Sequence, residues 1–146
     1  ALLRGLADAQ SLAQASAVLA RCAEVEGSVA EELLPWLRRG APFSQSVCWR
    51  LLEAAEADAS AGLPANERVI AALERDYAAM WRLFYRADFL EGARAAVVKA
   101  GGGPPTWCPA SAEDVSEDQA AATILPPPDE RQLRLRVPCD STTAKL

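Results

Sequence analysis

DFLEGARAAVV (88–98), then a glycine–proline break, then PTWCP (105–109): this passage says more about the chain than any other. Its first part predicts a helix over 88–100, because alanine, leucine and arginine favour helix and no β-branched run interrupts them before Val97. Asp88 stands where a carboxylate accepts from the free N–H groups of a first turn. Glu91, three residues on, completes an arrangement like a capping box. Gly92 inside the helix costs about 1 kcal/mol against alanine, so its presence predicts close approach of another backbone. GGGPP (101–105) then stops the helix.

The segments on either side extend the helical reading. SLAQASAVLARCA (11–23) puts Leu12, Ala15, Val18 and Leu19 on one face. SVAEELLPWLRR (28–39) begins with Ser28 as N-cap and Glu31 three residues later, and Pro35 predicts a kink or an early stop. SQSVCWRLLEAAEADA (44–59) follows, with Ser44 or Ser46 as its cap, and SAGLP (60–64) ends it. In NERVIAALERDYAAMWRLFYR (66–86), Val69, Leu73, Tyr77, Met80 or Trp81, and Phe84 recur at three- and four-residue steps. That stripe, Tyr77 and Trp81 included, is expected to pack as core rather than to touch a cofactor. PASAEDVSEDQAA (109–121) offers one more short helix, capped by Ser116. The expected fold class is therefore mainly α, with a helical unit over 1–123 and an extended, Pro-rich tail over 124–146. In the tail PPPDE (126–130) is a stiff spacer, and QLRLRV (132–137) alternates like an edge strand. Arg131, Arg134 and Arg136 make it locally basic, which suits either a docking arm or a solvated tail.

Composition narrows the function classes. The chain has 146 residues, enough for one domain with a modest core, and 51% of them are apolar. Alanine dominates that share, while Phe, Tyr, Trp and Met number 3, 2, 4 and 1. Alanine buries little area, so thin helices resting on something larger are expected. A net charge of −5 disfavours binding of the body to a phosphate backbone, leaving RNA contact at most to the tail. No apolar run approaches the roughly 18 residues that span a bilayer. The chain starts at Ala1 rather than Met, so a processed, trimmed or incompletely known start is expected, and ALLRGLADAQ lacks the layout of a secretory signal. Cys22, Cys48, Cys108 and Cys139 are widely spaced and there is no histidine. Free thiols are the favoured expectation, with no metal site. The commonest general base, and the usual partner of a Ser or Cys nucleophile, is also missing.

The passage at 88–115 resembles the 3-hydroxyisobutyryl-CoA hydrolase family of the crotonase, or enoyl-CoA hydratase/isomerase, superfamily. The family pattern runs approximately D-F-x-E-G-V-R-A-x-L-x-D-K-x-x-x-P-x-W-x-P-x-S-L-E-x-V. The chain matches it at Asp88, Phe89, Glu91, Gly92, Arg94 and Ala95, then at Pro105, Trp107, Pro109, Ser111, Glu113 and Val115. Asp76–Tyr77 and Ser46–Val47 fall in register upstream. It departs at Lys99–Gly103, where the family carries a D-K turn, and at Ala93 and Ala96, where the family is bulkier.

This resemblance implies the helical C-terminal module of a crotonase-like fold, covering roughly residues 1–115, without the N-terminal core that supplies the oxyanion hole and acidic residues. It implies no catalytic, cofactor-binding or metal residue in this chain. Phe89, Glu91, Gly92, Arg94, Trp107, Tyr77 and Trp81 become packing or interface candidates, and Arg131, Arg134 and Arg136 a docking tail. The leading expectation is a non-catalytic subunit of a large mitochondrial matrix assembly, with the small subunit of a mitochondrial ribosome first among them. Its partners are then other protein subunits. The alternative is one piece of a split acyl-CoA thioester hydrolase whose core lies on another chain.

Overall fold

The computed structural model describes residues 2–25, 27–98, 103–128 and 133–135, and among them regular structure is entirely helical. Seven helices follow in order: α1 (Leu2–Ala7), α2 (Leu12–Cys22), α3 (Val29–Arg39), α4 (Pro42–Ser60), α5 (Ala65–Phe84), α6 (Ala87–Val97) and α7 (Glu117–Thr123). The mainly α expectation holds. The edge strand does not: residues 133–135 carry no strand, and the rest of QLRLRV lies outside the described residues.

Local signals explain most boundaries. Ser11, Ser28 and Ser116 each accept from the N–H three residues on, satisfying a donor that the first turn leaves free. At α3 the Glu31 carboxylate turns back to the Gly27 N–H at 2.8 Å rather than to that of Ser28. Pro35 does not end α3, which runs on to Arg39. α4 begins earlier than its serines suggest. Pro42 occupies the first turn, where its missing N–H costs nothing, so Ser44 and Ser46 lie inside the helix and Ser46 is buried. Two elements differ at the ends. Leu2–Ala7 forms a helix that the reading left unassigned, and α6 stops at Val97, before residues 99–102, which are not described.

The core has two parts. Leu19, Ala30 and Leu34 join α2 to α3, with Leu6, Ala20 and Leu37 against them. Phe43, Val47, Ala79, Val115 and Ala120 join α4, α5 and α7, with Leu51, Leu83 and Ile124 packed alongside. Small residues set the spacing: Ala30, Ala78 and Ala120 are fully buried, which lets helices approach closely but contributes little area each. The Gln45 amide donates to the Leu37 carbonyl at 2.7 Å and fastens the two parts at the α3–α4 corner.

Polar contacts close the second part. Arg50 bridges Glu53 on its own helix and Glu117 of α7, both at 2.6 Å. Arg75 pairs with Asp58 across the α4–α5 seam. Arg82 donates to the carbonyls of Thr123 at 3.0 Å, Leu125 at 2.6 Å and Pro126 at 3.4 Å, so α5 holds the end of α7 and the start of the Pro-rich segment. Further along that segment, the Glu74 carboxylate accepts from the Leu135 N–H at 3.0 Å.

Adjacent leucines of α3 test the inner core. Leu34 is buried and Leu33 exposed, so Leu34→Ala is expected to cost about 2–4 kcal/mol and Leu33→Ala about 0.5 kcal/mol or less. Urea unfolding followed by circular dichroism compares them, and equal losses would refute this packing.

Candidate functional site

α6 and the loop after it form a clasp. The Asp88 side chain is buried, and its Oδ1 accepts from the Cys108 N–H at 2.8 Å. One turn later, Glu91 Oε1 accepts from the Thr106 N–H at 2.8 Å. Arg94 grips the same carboxylate twice, Nε to Oε2 at 2.8 Å and Nη2 to Oε1 at 2.7 Å. Arg86 completes the set: it donates to the Cys108 carbonyl at 3.0 Å, lies 3.8 Å from Asp88 Oδ2, and stacks 3.6 Å over the Phe43 ring. Between the two carboxylates Trp107 lies on Gly92, where a Cβ would stand 3.4 Å from its ring. Its indole N–H donates to the Arg39 carbonyl at 3.1 Å, tying the loop to the end of α3.

Two expectations change here. Asp88 and Glu91 do not form a capping box. The N-cap is Arg86, with no side-chain bond, and both carboxylates serve loop N–H groups 15 and 20 residues away. Gly92 likewise accommodates the Trp107 indole and not a second backbone. The Arg94 guanidinium, and after it the Thr106 N–H, holds the Glu91 pKa at about 2, well below its ordinary 4.5. Glu91 in turn raises that of Arg94.

The α5 stripe changes more. Val69, Leu73, Met80 and Phe84 are exposed, Tyr77 and Trp81 are half-buried, and the internal core takes Ala78 and Ala79 instead. At about 100° per residue the exposed stripe and the contacts made by Ala78, Ala79 and Arg82 fall on opposite sides of the helix. The apolar surface continues past α5. Phe84 meets Phe89 at 4.5 Å between ring centroids, Tyr85 packs edge-on against both Trp81 and Phe84, and Leu90 and Val97 are 70% and 79% exposed. A second, smaller stripe, Val29, Leu33 and Trp36, runs along α3.

The predicted residues thus fall into two groups. Glu91, Gly92, Arg94 and Trp107 meet in the clasp; Phe89, Tyr77 and Trp81 belong to or border the apolar face. Arg134 is exposed beside α5, while Arg131 and Arg136 lie outside the described residues. Arg82 and Arg86 were missed as organising residues. Each acts on main-chain atoms 22 to 44 positions away, and no local pattern announces such a contact. Among the described residues no three His, Cys, Asp or Glu side chains gather as a metal-binding set, and Cys22, Cys48 and Cys108 are free. A cleft of about 290 Å³ between α2, the α3–α4 corner and residues 110–113 is floored by Ala17, Ala20, Leu34 and Leu37. Ser16, Ser111 and Glu113 stand on its walls, and the Ser111 hydroxyl donates to the Asp114 carboxylate at 2.8 Å. Beside the clasp, α5 and α6 present an extended apolar surface.

Four measurements test the clasp. Glu91→Gln is expected to speed hydrogen exchange at the Thr106 amide about tenfold or more, since a neutral amide holds neither Arg94 nor that N–H as firmly. Because the folded-state pKa of Glu91 is depressed, its contribution is full above pH 4.5 and is lost as pH falls from there towards about 2. Thr106 exchange, corrected for the intrinsic rate, is expected to lose protection across that window. Gly92→Ala is expected to be neutral or stabilising by up to about 1 kcal/mol, because 3.4 Å leaves room for a methyl group. Gly92→Leu displaces Trp107, and its indole N–H loses its protection from exchange.

Comparison with known proteins identifies the lineage. The sequence model described as enoyl-CoA hydratase/isomerase matches residues 3–124, nearly the whole helical part and no further. Searches of curated proteins and of solved structures return no match. With the match spanning α1 through α7, the chain belongs to the enoyl-CoA hydratase/isomerase family.

Proposed function

We propose that the chain is a non-catalytic, 3-hydroxyisobutyryl-CoA hydrolase-like structural subunit of a large mitochondrial assembly, the small subunit of a mitochondrial ribosome foremost. The single observation that carries this reading is the apolar face of α5 and α6. Val69, Leu73, Met80, Phe84, Phe89 and Leu90 stay exposed. Such a continuous surface marks a site of association. Within the enoyl-CoA hydratase/isomerase family, the resemblance at 88–115 points to the hydrolase branch and to its C-terminal helical region. In that branch such helices pack on a separate N-terminal core. The chain's part is then to present surface to other protein subunits in the matrix, with RNA contact confined to the tail around Arg131, Arg134 and Arg136. Function by analogy of fold is weak on its own; the uncovered face is what ties the analogy to this chain.

A second reading has its own support. Phe89 is half exposed beside Phe84 at the edge of the face, where it could line an acyl-CoA cleft completed by a core on another chain. That makes the chain one piece of a split acyl-CoA thioester hydrolase.

Gradient sedimentation of the tagged, full-length protein from its own cells separates the two readings. Cofractionation with the small ribosomal subunit, and no thioester hydrolysis in those fractions, is expected. A stable partner carrying a crotonase core, with hydrolysis of 3-hydroxyisobutyryl-CoA on co-expression, would overturn the structural reading in favour of the split enzyme.

A further inference from the structure

The apolar face carries one charge that nothing in the described chain answers. Asp76 falls seven residues after Val69, three after Leu73 and four before Met80, which at about 100° per residue sets it at the edge of the stripe, on the side of Cys48 of α4. It is exposed, and no hydrogen bond or ion pair reaches it among the described residues. The nearby cations are committed elsewhere: Arg75 to Asp58, Arg82 to three carbonyls, Arg86 to Cys108 and Phe43, Arg94 to Glu91. The carboxylate stands close enough to Cys48 on α4 to raise that thiol's pKa, an effect second to burial.

A surface that covers Val69, Leu73 and Met80 takes Asp76 out of water with them. An ionised carboxylate covered without a partner is strongly unfavourable, so the covering surface must bring the missing donor. A long basic side chain does this well. Its stem packs along apolar neighbours while its head reaches the carboxylate. A phosphate backbone has the wrong sign. A second copy of this face, laid stripe against stripe, sets carboxylate near carboxylate.

We infer that the partner over the α5–α6 face is a protein surface that sets an arginine or lysine, ringed by apolar side chains, against Asp76. This rests on the reading of that face as a docking site. It adds the chemistry of what docks there.

The test uses the tagged full-length chain in its own cells, with Asp76→Asn, Asp76→Lys and Met80→Glu, and with a photo-reactive benzoylphenylalanine in place of Tyr77. The readouts are the fraction of protein sedimenting with the large assembly and the identity of the cross-linked peptide. Asp76→Lys is expected to lower the assembled fraction about tenfold or more, and Asp76→Asn by less. The cross-link is expected on a protein segment within a few residues of an arginine or lysine. If Asp76→Lys assembles like the unaltered chain while Met80→Glu falls off the assembly, the inferred cation is wrong and the docking face stands. If Met80→Glu also assembles normally, the docking face itself is wrong. A cross-link to RNA, to an acidic stretch or to a second copy overturns the inference directly.

Discussion

Two carboxylates on one face of a short helix hold the PTWCP loop. Asp88 and Glu91 sit a single turn apart and accept from main-chain N–H groups that are themselves two residues apart, those of Cys108 and Thr106. Three residues of helix rise about 4.5 Å, and two residues of chain span at most about 6.6 Å, so neighbouring carboxylates on one face of α6 can reach alternate amides of the loop. The residue between, Trp107, is thereby pressed onto the one position of α6 without a side chain. Its indole reaches the end of α3. From there the arrangement spreads. Arg86 locks the same loop to Phe43, and Phe43 belongs to the core of α4, α5 and α7.

This economy of internal contact explains why so much apolar surface is left over. Alanine fills the interior at Ala30, Ala78, Ala79 and Ala120, and the larger side chains of α5 face outward. An isolated domain of this size usually spends its aromatic and branched residues inside, where each contributes most. Here Phe84, Met80, Leu90 and Trp36 are withheld from the core. Ion pairs and main-chain contacts add to burial between the helices, and the apolar face stays available.

How much of this was legible in the sequence follows from range. Helix identity was readable because its causes are local: Ser11, Ser28 and Ser116 cap, Gly62 turns, and alanine propagates. The importance of 88–109 was readable too, through its residue spacing. The roles within it were not. Asp88 and Glu91 at the start of a helix look like caps from the sequence, and only the folded loop shows that their partners lie 15 and 20 residues downstream. The stripe of α5 misled for a related reason. Periodicity tells which residues share a face but not which side of the helix the rest of the chain occupies, and the alanines at 78 and 79 took that side.

Arg82 grips three carbonyl oxygens, at Thr123, Leu125 and Pro126, and Glu74 takes an amide hydrogen at Leu135. Carbonyls and amides belong to the backbone, so this fastening is largely indifferent to which side chains the strand of residues carries. The placing of residues 123–126 and of Leu135 is set by α5. At Leu125, Pro126 and Leu135, where the held atoms are backbone and the side chains are exposed, a change of side chain leaves the grip of α5 in place.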